Sequence, residues 1–200
     1  MHAAASQVRR RAPTLRSYFG NTMKRRILLA GAAAGSTVLL GGCASQSIES
    51  YAGERPVLDL QQYFNGTLDA YGVFSDRSGS VVRRFTVLMR CSWNGDDGVL
   101  DEDFSYSDGS KQKRIWRLKK LPDGRYTGRA DDVVGEAQGQ SRGNAFHWTY
   151  TLNLPVDGKV YEVQFDDWMY LVDQRVLLNK ASMRKFGLHL GEVTLAFTRR

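Results

Sequence analysis

From Leu58 to the C-terminus, apolar side chains recur at every second position rather than every third or fourth. A period of two marks strands that turn one face towards a core. Phe64, Gly66, Leu68, Ala70, Gly72 and Phe74 share one face, and Phe146, Trp148, Tyr150, Leu152 and Leu154 another. Tyr161, Val163, Phe165, Asp167, Met169 and Leu171 form a third set; Val193, Leu195 and Phe197 close the chain, and residues 81–93 read as one long strand. Turn signals separate the runs, among them Asp97-Gly98, Asp108-Gly109, Asp123-Gly124 and Asp157-Gly158. Asp-Gly suits tight hairpins because the central residues need positive φ. About eight to ten strands joined by hairpins make an antiparallel meander, and closing it into a barrel removes the exposed edges. The predicted fold is all-β, an antiparallel up-and-down barrel with at most one short helix, placed within residues 173–186. A β-sandwich is the competitor, but it needs the long crossover of a Greek key.

The N-terminal part is patterned differently. Lys24-Arg25-Arg26 precedes an apolar run over 27–40, which ends in Leu40-Gly41-Gly42-Cys43. A positive start, a short apolar core and small residues before a cut site form an export signal. A cysteine directly after the cut resembles the lipobox of bacterial lipoproteins. That resemblance implies a diacylglycerol thioether on Cys43, loss of residues 1–42 as a leader, and acylation of the new N-terminus. A transmembrane anchor is the alternative, but a span needs about 20 apolar residues and this run is shorter. Met23 places the basic triplet directly behind an initiator and is the expected start; an extended leader from Met1 is the other reading. Residues 43–57 read as a lipidated tether reaching on the order of 40 Å if fully extended. Residues 58–200 then form a single barrel domain. Ala44, in place of an aspartate after the anchor, resembles outer-membrane sorting with the domain facing the periplasm.

Charge and cysteine content exclude several classes. The chain carries 28 basic and 21 acidic residues, for a net charge of +7. Seven of the basic residues and none of the acidic ones fall within residues 1–42, so the remainder is formally neutral. The usual inference from a basic chain to nucleic acid therefore fails. With Cys43 lipidated, Cys91 has no partner for a disulfide, and its place among alternating apolar residues marks a buried, inert thiol. The three histidines, His2, His147 and His189, show no metal-ligand spacing, and no cofactor-binding motif is present.

Asp167 is the sharpest candidate for a functional role. Strand alternation places it between Phe165 and Met169 on an apolar face, while Asp166, Trp168 and Tyr170 point the other way. A carboxylate on such a face needs a partner or must take up a proton; Arg175 and Arg184 are the nearest basic residues in sequence. Asp167 reads either as an internal strut or as an anchor for a ligand headgroup. Trp148, Tyr150 and Trp168, with Arg175 near one end, complete the candidate pocket, with one of the two tryptophans free to face outwards. Filled small barrels use the same aromatics as core, so sequence leaves hollow and filled interiors open. His147 sits in a polar set with no nucleophile beside it. The cluster Lys111, Lys113, Arg114, Arg117, Lys119 and Lys120 follows Asp101-Glu102-Asp103 and reads as cross-strand ion pairing, or else as a patch for anionic headgroups.

Five segments carry a family resemblance: Ala130-Asp131-Asp132-Val133-Val134-Gly135, Gly143-Asn144-Ala145-Phe146-His147-Trp148, Leu154-Pro155-Val156-Asp157-Gly158, Phe165-Asp166-Asp167-Trp168-Met169 and Lys185-Phe186-Gly187. With the leader ending at Cys43, they make the chain similar to the DUF3833 family of bacterial lipoproteins. The resemblance implies a compact, lipocalin-like barrel tethered to an envelope membrane and carries over no catalytic residue. The expected role is to bind or shield a small apolar or amphiphilic, lipid-like molecule. The alternative is an assembly factor that docks envelope proteins through the barrel exterior. An enzyme acting on lipids is the third class, and no catalytic constellation supports it.

Overall fold

The computed structural model describes residues 46–156 and 158–200. The leader, Cys43 and the start of the tether lie outside the described residues.

Ten antiparallel strands follow one another: β1 (Gly66–Asp76), β2 (Val81–Asn94), β3 (Asp97–Tyr106), β4 (Lys111–Lys120), β5 (Arg125–Arg129), β6 (Ala137–Arg142), β7 (Ala145–Val156), β8 (Lys159–Leu171), β9 (Val176–Lys185) and β10 (Leu188–Arg199). Each pairs with its neighbours in sequence, and β1 pairs with β10 from Leu68↔Arg199 to Asp76↔Gly191, which closes the barrel. The meander expected from the hairpin signals is thus the observed topology, without a crossover. Inward and outward residues alternate as the sequence pattern requires. Leu68 and Ala70 of β1 are fully buried, as are Phe146 and Trp148 of β7, whereas Tyr71 and Thr149 face out.

The two ends differ. At one end a single turn of helix, α1 (Leu60–Tyr63), is capped by the Asp59 side chain on the backbone N–H of Gln62. It sets Leu60, Tyr63 and Phe64 under the barrel as a plug. Tyr63 Oη donates to the carbonyls of Arg175 (2.9 Å) and Phe197 (3.1 Å), and Trp93 Nε1 donates to that of Phe64 (2.7 Å). The short helix expected within residues 173–186 is not there. That stretch is the β8–β9 turn and β9, whose inward positions are Leu177, Asn179, Ala181 and Met183. Helix forms at Leu60 instead because no strand partner is available under the closed end and the Asp59 cap satisfies a first-turn N–H.

The segment expected to hang as an extended tether is docked on the barrel from Gln46 onwards. Ile48–Tyr51 forms a 3₁₀ turn, and Glu49 pairs with Arg142 at 3.1 Å. The Tyr51 ring lies against Trp168 and Tyr170, with centroids 5.9 and 5.5 Å away. Gly143 permits this contact. Its φ is +51°, and a Cβ there would run into the Tyr51 carbonyl.

Gly139, on the inner face of β6, makes room for the Trp148 indole in the same way. Gly139→Ala would force a methyl group against Trp148 and the His147 carbonyl, and overpacking of this kind costs about 1–3 kcal/mol. The expected result is a lower denaturation midpoint with unchanged far-ultraviolet circular dichroism; an unchanged midpoint would mean that Trp148 does not lie over β6.

Candidate functional site

The end opposite the α1 plug is not filled. A cavity of about 860 Å³ runs from Leu60 and Phe64 at the floor to Val156 and Val160 at the mouth. Its wall is mainly aromatic and aliphatic. The Trp116 ring meets Trp148 and Tyr150 edge-on, with centroids 5.8 and 5.4 Å apart. Tyr150 stacks on Phe165 at 5.0 Å. Short inward residues, such as Ala181 on β9, leave the space that larger ones would occupy.

Arg83, Gln112, Asp131 and Asn153 add polar side chains at the cavity's more exposed edge, and two polar groups interrupt the wall deeper in. The first is centred on Asp167, which faces inwards as expected and is 5 % exposed. Its partners are neutral: Tyr150 Oη donates to Oδ2 at 3.3 Å, and the Asn179 amide donates to Oδ1. Burial raises the Asp167 carboxyl to about 7, against the lowering effect of the Asn179 and Tyr150 hydrogen bonds. Neither arginine proposed as its partner reaches it. Arg175 lies exposed in the β8–β9 turn at the plugged end, and Arg184 is on the outer face of β9 opposite Gln164. Proximity in sequence misled here, because a hairpin carries neighbouring residues away from the interior as soon as the strand ends.

The second group joins β3 to β4. Glu102 and Arg114 are direct cross-strand neighbours, and both face the cavity. The Arg114 guanidinium turns to Asp132, with Nε and Nη2 donating to Oδ2 at 2.9 and 2.7 Å. Glu102 is left with no hydrogen bond or ion pair among the described residues, although it is only 8 % exposed. Burial pushes its carboxyl up to about 7; the Arg114 charge works against this, and the Asp132, Asp101 and Asp167 charges add to it. Burial raises Tyr150 well above the usual phenol range, with Asp167 next among the causes.

Of the other candidates, Trp148 and Tyr150 line the cavity and Trp168 does not. Trp168 lies outside, stacked on His147 at 4.2 Å and against Tyr51, so it helps dock the N-terminal segment. Its parity, opposite to that of Asp167, excludes it from the interior. His147 is also outward, 2.8 Å from Asp166. Cys91 is buried and its thiol is pushed up to about 12, mainly by burial, which suits an inert core residue. Part of the basic cluster pairs across strands, Lys113 with Asp101 at 2.6 Å and Lys119 with Asp97 at 3.1 Å, while Lys120 pairs with Asp59 and Arg114 turns inwards to Asp132.

The fold and its interior define a lipocalin-like barrel with one closed end and one open end. The sequence profile of DUF3833, a family described as protein of unknown function, matches residues 37–199, and the chain belongs to that family. No curated protein matches it. Among solved structures, the S-type phycobiliprotein lyase CPES from Guillardia theta has a similar fold. The TM-score is 0.54 at 7 % identity, covering 78 % of this chain and 98 % of the lyase. At that identity the likeness is one of fold.

The two raised carboxyls make stability depend on pH with a definite sign. Unfolded, they ionise near 3.8 and 4.5; folded, they hold their protons up to about 7. Between those limits the folded state binds more protons, so these groups favour folding at acid pH and progressively less as the pH climbs towards 7. Surface carboxylates such as Asp69, held low by Arg200, act in the opposite direction. The contribution of Asp167 is therefore isolated by Asp167→Asn. The variant should gain stability relative to the parent as pH rises from 4.5 to 7.5 in urea melts; a constant difference would place Asp167 in water.

Proposed function

We propose that the protein is an envelope lipoprotein that binds a small apolar or amphiphilic molecule inside its barrel. The open cavity of about 860 Å³ carries this reading. Sites for small molecules are concave, mostly apolar and about 300–1,000 Å³, with a few placed polar groups. Here the apolar wall suits a hydrocarbon body, and Glu102, Arg114 and Asp167 supply the polar points. A barrel serving only as an external docking block has no use for such a space, because each unfilled volume in a core forfeits packing energy. Catalysis is the less economical reading: His147 is outside and paired with Asp166, and Cys91 is an inert thiol.

The proposed anchor bears on how the cavity is presented. Gln46 is hydrogen-bonded to Tyr170 close to the plugged end, and Cys43 precedes it by three residues. A lipid on Cys43 would lie within about 10 Å of Gln46 along the chain. The plugged end would then sit near the bilayer and the mouth would face away from it. The mouth carries exposed Val82, Val160, Phe186 and Leu188, which ease an apolar ligand past the rim. A ligand taken up there arrives from the aqueous side or from a partner.

Purification from the native envelope tests anchor and ligand together. Intact mass should show acyl groups on an N-terminus at Cys43, and native mass spectrometry with lipid extraction should show a retained apolar molecule. Ala181→Phe, which places a ring in the cavity, should lower that occupancy about tenfold or more while the protein still folds. Equal retention by the filled variant and the parent would rule out the interior as the binding site. An unmodified N-terminus elsewhere would rule out the anchor.

A further inference from the structure

The cavity holds an imbalance that its own residues do not resolve. Arg114 and Asp132 neutralise one another in a two-pronged contact. Arg83, at the mouth, is bound to Asp108 at 2.7 Å. Three carboxyl groups remain without a free cation among the described lining residues: Glu102 and Asp167 facing the apolar interior, and Asp131 exposed at its edge. Asp167 receives Tyr150 and Asn179, both neutral donors. Glu102 receives nothing among the described residues, although it is more than nine-tenths buried and lines the cavity. A buried carboxyl without a donor is costly; the Arg114 charge opposes the effect of burial on Glu102, but its guanidinium gives its hydrogen bonds to Asp132.

We propose that the cavity selects an amphiphile whose head carries a protonated nitrogen, and that Glu102 receives that nitrogen, with Asp167 lining the same cavity. An ammonium group supplies both missing elements at once: positive charge and N–H donors. An anionic head would meet carboxyls and no free cation among the described lining residues, and an alcohol head would bring one donor and no charge. The apolar body of the ligand would lie against Trp116, Trp148 and Phe165. Tyr150 bridges body and head, with its ring stacked on Phe165 and its hydroxyl on Asp167. This inference rests on the reading of the cavity as a binding site and specifies the chemistry of its occupant.

Three probes with the same tail and different heads separate the two claims: dodecylamine, dodecanol and dodecanoate. Each displaces the fluorescent probe N-phenyl-1-naphthylamine from the full chain at pH 8, below micelle-forming concentrations. The expected order is amine first, with an advantage of about tenfold over alcohol, and carboxylate last; a charge-assisted hydrogen bond is worth about that factor. Glu102→Gln keeps the size of the side chain and removes its charge. It should erase most of the amine's advantage while dodecanol affinity stays within about twofold. Ala181→Phe should weaken all three probes alike. Equal binding of amine and alcohol, a preference for dodecanoate, or an amine advantage that survives Glu102→Gln would each overturn the head-group assignment and leave the cavity reading standing. Failure of all three probes to bind the parent protein would overturn both.

Discussion

Pairing of β1 with β10 is the constraint on which the rest of the structure depends. Once Leu68 sits opposite Arg199 and Asp76 opposite Gly191, every strand has two neighbours and every second residue is committed to the interior. A one-residue slip at the seam would turn Leu68, Ala70 and Phe74 outwards and Asp69 inwards. Closure therefore fixes what the interior contains. Ten strands enclose more volume than the inward side chains fill at the mouth end, whereas α1 and the rings of Phe64, Trp93 and Tyr126 fill the other. One end is a core in the ordinary sense, and the other is a lined space.

Glu102, Arg114 and Asp167 are held by the sheet rather than by loops, which gives them a fixed geometry. Glu102 is opposite Arg114 across β3–β4, and Asp167 is opposite Trp148 across β7–β8. Asp132, which receives the Arg114 guanidinium, lies in the β5–β6 connection, where Val133 bridges to Leu152 of β7. Glu102 and Asp167 are thus set by backbone register, and burial holds the carboxyl of each above its ordinary range. That combination makes the interior responsive both to protons and to a positively charged occupant.

Much of this was legible in the sequence, and the failures have separate causes. Period-two alternation over residues 64–74, 146–154 and 161–171 carried the strands, the barrel and the inward position of Asp167. It also carried the outward position of Trp168, so the inclusion of that residue in the pocket conflicted with its own parity. Glu102 and Arg114 were missed because their strands are charged on both faces. The parity of Leu100 and Phe104 marks Glu102 as inward, and that of Trp116 and Leu118 marks Arg114, but the charges on either side obscure this signal. The same masking hid β9, whose interior residues include Asn179 and Ala181 instead of a run of large apolar groups. The N-terminal segment looked like free chain because its contacts, Glu49 with Arg142 and Tyr51 with Trp168, span distances in sequence that composition does not report.

The most direct test of the account is whether a hydrocarbon chain enters the barrel. With methyl-labelled Met and Ala in the otherwise deuterated protein, nuclear Overhauser contacts from protonated dodecylamine report where the chain sits. Methyl groups of Met89, Met169, Met183 and Ala181 all line the cavity, and contacts from the ligand chain to these methyls are the predicted result. Contacts absent from these four, with chemical-shift changes confined to the exposed tips around Val160 and Leu188, would place the ligand on the outside and contradict the account.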